Sequence, residues 1–187
     1  MTAPTDRELV LSIRQGHTEA YSLLVERYQQ AVFGVCYRMF GERRDAEDMT
    51  QEALIRGYQR LDRFDSERPF GPWIRKVAFN LCLNKIKARK PEPFELDLAR
   101  DRQAGRQEEL PEPQIAALER AEQIRAALNE LPAPFKAAIE LRHFQHLDYQ
   151  EMAEVLKLPL NTVKSHLFRA RKQLAALLVE SGLKETL

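Results

Sequence analysis

The chain has 187 residues, 44% hydrophobic and 30% charged, with a net charge of +1, which suits one globular domain or two small ones. No run of about 18 apolar residues occurs, so no segment is expected to span a bilayer, and the start MTAPTDRELV lacks the basic and apolar parts of a secretory signal. The two cysteines, Cys36 and Cys82, are too few for a zinc site and read as small hydrophobes in a reducing, cytoplasmic setting.

Nearly every segment patterns as helix, and no stretch alternates apolar and polar residues for long enough to make a strand, so an all-α fold is expected. The spacing predicts a first helix over Asp6–Gln15, stopped by Gly16. A second covers Thr18–Phe40 and ends at Gly41, with Ala20, Leu24, Tyr28, Ala31, Val35 and Met39 as its apolar stripe. A third covers Asp45–Leu61 and buries Ala46, Met49, Ala53 and Leu61. After a loop over Asp62–Pro72, a fourth helix runs over Trp73–Lys90, its core face set by Ile74, Val77, Ala78, Leu81 and Cys82. These four helices are expected to form one domain, residues 1–90.

Residues 91–113 hold Pro91, Pro93, Pro111 and Pro113 among seven acids, with few large apolar side chains. They read as an acidic linker. A second domain, 114–187, is expected to contain helices over Gln114–Glu130, Pro134–Phe144, Tyr149–Leu156 and Asn161–Glu180.

The near-zero charge averages unlike parts. Residues 1–90 hold 16 Lys/Arg against 12 Asp/Glu, 91–113 hold 3 against 7, and 114–187 hold 10 against 9. The stretches 70–90 and 161–173 contain no acid and hold six and four basic residues. Two basic segments flanking an acidic linker suit a protein that touches a polyanion twice. Charge alone is equally compatible with two solvated helix faces.

In the second domain, Asp148-Tyr-Gln-Glu151 has the form of a capping box that opens a short helix carrying Met152, Ala153 and Leu156 inward. Lys157-Leu158-Pro159 breaks it, and Pro159 suits the first turn of the next helix. There Val163, Leu167, Ala170 and Leu174 form the core side, opposite Lys164, Ser165, Phe168, Arg169, Arg171 and Lys172. A short capped helix, a three-residue break and a basic helix make a DNA-binding helix-turn-helix signature. Many such turns place glycine where Lys157 stands, and a lysine in the left-handed conformation costs ~1 kcal/mol.

In the first domain, Lys76, Phe79, Asn80, Leu83, Asn84 and Lys87 line up along the fourth helix. Basic residues track phosphates, aromatics stack on bases, and asparagine reads base edges. Phe79 and Leu83 read equally as residues buried in the helix bundle. The preceding loop offers Phe64 and Phe70 as walls of a pocket for an extruded base. On the third helix, Asp48, Gln51, Glu52 and Ile55 share a mixed acidic and apolar face, which suits either protein docking or plain solvation.

DAEDMTQEALIRGY (45–58), the aromatic series Phe64, Phe70, Trp73, and WIRKVAFNLCLNKIK (73–87) resemble region 2 of extracytoplasmic-function sigma factors, small members of the sigma-70 family. Residues 131–171, from LPAPFKAAIELRHF to KSHLFRAR, resemble region 4. The resemblance implies a factor that binds core RNA polymerase and directs it to promoters. Asp48, Gln51, Glu52 and Ile55 would dock on the clamp helices of the largest subunit, and the subunit flap would be a second contact. Phe64, Phe70, Trp73, Lys76, Phe79, Asn80, Asn84 and Lys87 match the parts that melt and read the minus-ten element as single strand. Lys164, Ser165, Phe168 and Arg169 match readers of the duplex minus-thirty-five element, with Thr162, Arg171 and Lys172 on phosphates. The family often carries Arg-Gly after the first loop phenylalanine. Here Asp65-Ser66-Glu67 follow, and acids beside DNA need a cation such as Arg63 or Arg68. An anti-sigma factor is a further partner of such proteins, whereas no cofactor, metal, membrane insertion or homo-oligomer is expected.

A helix-turn-helix regulator with an effector domain is the main rival, but it leaves the Asp48/Gln51/Glu52 face unexplained. An enzyme is not expected, since the sequence has no Gly-rich phosphate loop, H-E-x-x-H or nucleophile elbow. His143 and His146 form H-x-x-H, and Glu140-x-x-His143 resembles half of a di-iron motif whose second half does not occur.

Overall fold

The computed structural model describes residues 3–89 and 112–182, and among them every regular element is helical. The chain divides after Arg89 into two compact units. In the first, α1 (Asp6–Arg14) leads through a 3-10 turn at Thr18–Ala20 into α2 (Tyr21–Phe40). Then come α3 (Arg43–Gln59), a second 3-10 turn at Leu61–Arg63, and α4 (Phe70–Arg89). The second unit carries α5 (Glu112–Glu130), α6 (Ala133–Ile139), a π-turn at Glu140–Phe144, α7 (Tyr149–Leu156) and α8 (Leu160–Glu180). The expected linker lies outside the described residues except for Glu112 and Pro113, which open α5.

Local chemistry explains most boundaries. Thr5 and Glu8 close a capping box at α1: the Thr5 N–H donates to Glu8 Oε2 at 2.7 Å, and the Glu8 N–H donates to Thr5 Oγ1 at 3.3 Å. The Thr5 N–H and the Thr5 hydroxyl, the latter at 2.9 Å, both donate to the Glu8 carboxylate, favour its charged form and hold Glu8 below its usual pKa. Gly41 ends α2 in the left-handed region at φ +78°, where a Cβ is disfavoured, and its N–H donates to the Tyr37 carbonyl. α4 starts at Phe70, three residues earlier than expected. Pro72 sits in its first turn, where the missing N–H has no intrahelical partner to lose.

α2, α3 and α4 pack on one another. The buried face of α2 is Leu24, Val32, Val35, Cys36, Met39 and Phe40, whereas the expected stripe member Ala31 is exposed. Packing against both α3 and α4 widens the face and rotates it toward Val32 and Cys36. On α3 the buried positions are Ala46, Thr50, Ala53 and Gly57, and the expected Met49 is only half-buried. This run of small residues lets α3 approach α4 closely. A Cβ on Gly57 would collide with the Ile74 side chain and lie 3.0 Å from the Tyr21 hydroxyl. Cys36 on α2 and Cys82 on α4 meet in this core, with their sulfurs 3.6 Å apart.

In the second unit, Leu141, Met152, Leu156, Val163, Leu167 and Ala170 form the core between the π-turn, α7 and α8. The Asp148 box is complete: Asp148 Oδ1 accepts from the Gln150 and Glu151 N–H groups at 2.8 Å, and the Asp148 N–H donates to Glu151 Oε2 at 2.8 Å. Ala153, expected inside, is half-buried. Lys157 does adopt the left-handed conformation, at φ +56°, ψ +48°. Its N–H returns to the Ala153 carbonyl, as does that of Leu158.

Candidate nucleic-acid interface

α8 buries Val163, Leu167 and Ala170, at spacings i, i+4, i+7, and turns its remaining surface outward. Lys164, Phe168, Arg169, Arg171 and Lys172 are exposed, Phe168 by 70%, while Thr162 and Ser165 are half-buried. At 3.6 residues per turn, Lys172 shares the side of Phe168 and Ser165, about one turn beyond Phe168. From Phe168 and Ser165 it is separated mainly by distance along the axis. Arg171 is held from behind, its Nε donating to His143 Nε2 at 3.3 Å. Burial first, then the charges of Arg171, Arg142 and His146, push His143 below its usual pKa, and burial with Arg169 does the same for His166.

On α4 two residues follow the buried one of their two readings. Phe79 is fully buried and Leu83 is buried, so neither stands on an open face. Lys76, Asn84 and Lys87 are exposed and Asn80 half-buried. These four fall at i, i+8, i+11 and i+4, within about 80° of arc at 3.6 residues per turn. Leu83 falls only about 20° and Phe79 about 60° beyond the Lys76 edge of that arc, and there the buried face begins.

The expected base pocket is not open in this structure. Phe64 and Phe70 are buried and pack edge-on at 5.5 Å between ring centres, and Trp73 lies 4.8 Å from Phe64 and 5.3 Å from Phe70. Tyr28 closes the cluster 5.3 Å from Phe70. Burial and the hydrogen-bonded Asp6 carboxylate push the Tyr28 hydroxyl up to about 12. The rings therefore fill one another's space, because Phe70 belongs to α4 and not to the loop. Arg14, which the sequence did not single out, holds the loop by donating to the Leu61 carbonyl at 2.8 Å and to that of Phe64. The two acids are paired at the surface: Asp65 with Arg68 at 3.3 Å, and Glu67 with Arg7 at 2.6 Å.

On α3, Asp48, Gln51 and Ile55 are exposed, and Ile55 keeps 53% of its surface open. Glu52 is half-buried and paired with Arg56 at 2.7 Å. The second unit has an apolar hollow of about 140 Å³, lined by Ile124, Leu128, Ile139, His143, Phe144, Arg171 and Leu174. No group of side chains able to hold a metal ion occurs among the described residues, nor is any helix there long and apolar enough to cross a membrane.

The Sigma-70 region 2 family matches residues 24–92, and the Sigma-70 region 4 family matches 121–174. The ECF RNA polymerase sigma factor SigW of Bacillus subtilis is 31% identical over 176 residues, covering 90% of this chain and 94% of that protein. The chain belongs to the extracytoplasmic-function sigma factors. The ECF RNA polymerase sigma-E factor of Haemophilus influenzae is 33% identical over 177 residues, covering 91% and 93% of the two chains. Among solved structures, CnrH in complex with the cytosolic domain of CnrY is similar with a TM-score of 0.58 and 25% identity, over 94% of this chain and 97% of that one. The sigma factor RpoE of Bartonella quintana, solved with the anti-sigma factor NepR, shares the fold with a TM-score of 0.57 and 20% identity, over 84% and 96%. As a sigma factor of this family the chain directs transcription initiation by RNA polymerase. Region 2 covers α2–α4 and region 4 covers most of α5–α8.

Proposed function

We propose that region 2 of this sigma factor docks on the clamp helices of the largest polymerase subunit through Asp48, Gln51, Glu52 and Ile55 of α3. The support is chemical: an exposed isoleucine ringed by carboxylate and amide groups combines apolar contact with charge selection. The minus-ten element is read by the strip of Lys76, Asn80, Asn84 and Lys87, with phosphates on the lysines and base edges on the asparagines. Phe64, Phe70, Trp73 and Phe79 act behind that strip by fixing the loop and α4, and they do not stack on bases in this arrangement.

The observation that carries the promoter reading is α8. A residue as apolar as Phe168 stays 70% exposed among Lys164, Arg169, Arg171 and Lys172 while the opposite side is core. Such a face fits the major groove of the minus-thirty-five element, where arginine pairs with guanine and an apolar ring meets a thymine methyl. Arg169 reads bases with Lys164, Ser165 and Phe168, whereas Thr162, Arg171 and Lys172 hold phosphates. The apolar hollow of region 4 suits a protruding apolar element such as the subunit flap. CnrH was solved with the cytosolic domain of CnrY, and a sigma-binding protein regulator belongs to this reading, acting with the polymerase in the cytoplasm.

Run-off transcription with core polymerase on a library of promoters tests the whole. The full chain is expected to select paired minus-ten and minus-thirty-five elements, and tight sequence-specific duplex binding without polymerase would count against it.

A further inference from the structure

We propose that Tyr149, the first residue of α7, is a positioning residue that holds the Lys164 ammonium ready for promoter reading by α8. The proposal rests on the reading of α8 as the minus-thirty-five reader.

Neither the capping of α7 nor its buried face calls for an aromatic side chain at this position. The helix start is satisfied by Asp148 and Glu151, and the side chains that α7 buries are Met152 and Leu156. The Tyr149 ring is half-buried and spans the gap between two neighbours. Lys164 Nζ lies 5.9 Å from its centre and Arg142 Cζ lies 5.5 Å from it. Both distances are within reach of attraction between a cation and the ring's negative face. Arg142 is also tethered, its Nη1 donating to the Leu147 carbonyl at 2.9 Å. Lys164 is therefore the movable cation of the pair.

Lys164 sits about one turn into α8 on a long flexible stem, exposed, in a stretch without acids. Such a side chain spreads over many rotamers, and ordering it on DNA carries an entropic cost. A ring that meets it in the free protein reduces that cost before DNA arrives, which is preorganisation. An exposed cation–ring contact shifts such an equilibrium about two- to fivefold.

The experiment uses the full chain with core polymerase and a library randomised across the minus-thirty-five element. Tyr149→Leu is expected to lose discrimination two- to fivefold at the base pairs that Lys164→Ala relaxes. Tyr149→Phe, which keeps the ring, is expected to retain it. In a Lys164→Ala background, Tyr149→Leu should have no further effect. The same loss in that background, or a loss from Tyr149→Phe equal to that from Tyr149→Leu, overturns the proposal.

Proton NMR of the free protein separates this from the α8 reading. The Lys164 ε-methylene protons should be ring-shifted upfield in the parent and not in Tyr149→Leu. Absence of that shift, with Lys164→Ala still relaxing promoter choice, sinks the positioning role alone. The shift present with an unaltered Lys164→Ala preference removes Lys164 from DNA reading, and the role of Tyr149 in it as well.

Discussion

α4 of region 2 and α8 of region 4 both set a phenylalanine among basic and polar residues, yet Phe79 is fully buried and Phe168 is 70% exposed. The difference lies in the breadth of the packed arc. α8 buries one narrow stripe, whereas on α4 Val77, Ala78, Phe79, Leu81, Cys82 and Leu83 are all buried, most of the way round the helix. α2 and α3 both pack against α4. A helix flanked in that way keeps only a strip open, so on the proposed reading its contribution to DNA is polar and linear. α8 offers a broad mixed face, which matches a groove wide enough to admit a helix.

The contrast breaks most sharply on the two phenylalanines. Phe79→Ala leaves a cavity in a close-packed core and is expected to cost region 2 about 3–5 kcal/mol in urea unfolding. Phe168→Ala should stay within about 0.5 kcal/mol of the parent, because no core contact is lost, while promoter selection weakens. Similar, small stability losses from both would make the two faces alike.

Next in size is docking through α3. Asp48→Arg combined with Gln51→Ala is expected to cost about 1–3 kcal/mol per disrupted contact, read as loss of co-purification with core polymerase. The double variant should fold as the parent does, since both side chains are exposed. Undiminished binding removes docking from this face.

Within α8 itself, Arg169→Ala should cost about 1–3 kcal/mol on the preferred element and relax one base position. Lys172→Ala should weaken all sequences alike and flatten the salt dependence by about one counterion. Transcription from a randomised minus-thirty-five library at two salt concentrations distinguishes them. A changed base preference from Lys172→Ala, with none from Arg169→Ala, inverts the assignment.

The smallest effect concerns pH. His143 and His166 both belong to region 4, and both have folded pKa values below the usual 6.5. The fold therefore favours their neutral forms, and the associated stability is complete above pH 6.5. It is lost as pH falls from there through the folded values, because the unfolded chain takes up protons first. Region 4 should unfold more readily at pH 5.5 than at pH 7.5, with little change in region 2. Equal pH dependence in both regions would contradict this.

The helices of both regions were legible because each is specified within a turn or two of chain. Gly41, the Asp148–Glu151 pair and the apolar spacing of α8 act through hydrogen bonds and periodicity that involve near neighbours only. The left-handed conformation at position 157 was suggested by the type of turn, whereas the lysine there departs from the glycine such turns often carry. The site was less so. Phe79 and Leu83 carried no local mark to separate a stacking platform from a core residue, and the start of α4 hid behind Pro72. Arg14 and Tyr149 gave no signal, since each acts on a residue distant in the chain or across a turn.

By itself, then, the sequence determined the all-helical character, the capped helix-turn-helix and the family, through short-range bonding and ordered motifs. Only the tertiary structure decided which faces remain open. It closed Phe64, Phe70 and Trp73 on one another, brought Cys36 to 3.6 Å from Cys82 across 46 residues, and set Tyr149 beside Lys164. Burial depends on how many neighbours a helix acquires, and that number is a property of the packed assembly that no local window of sequence contains.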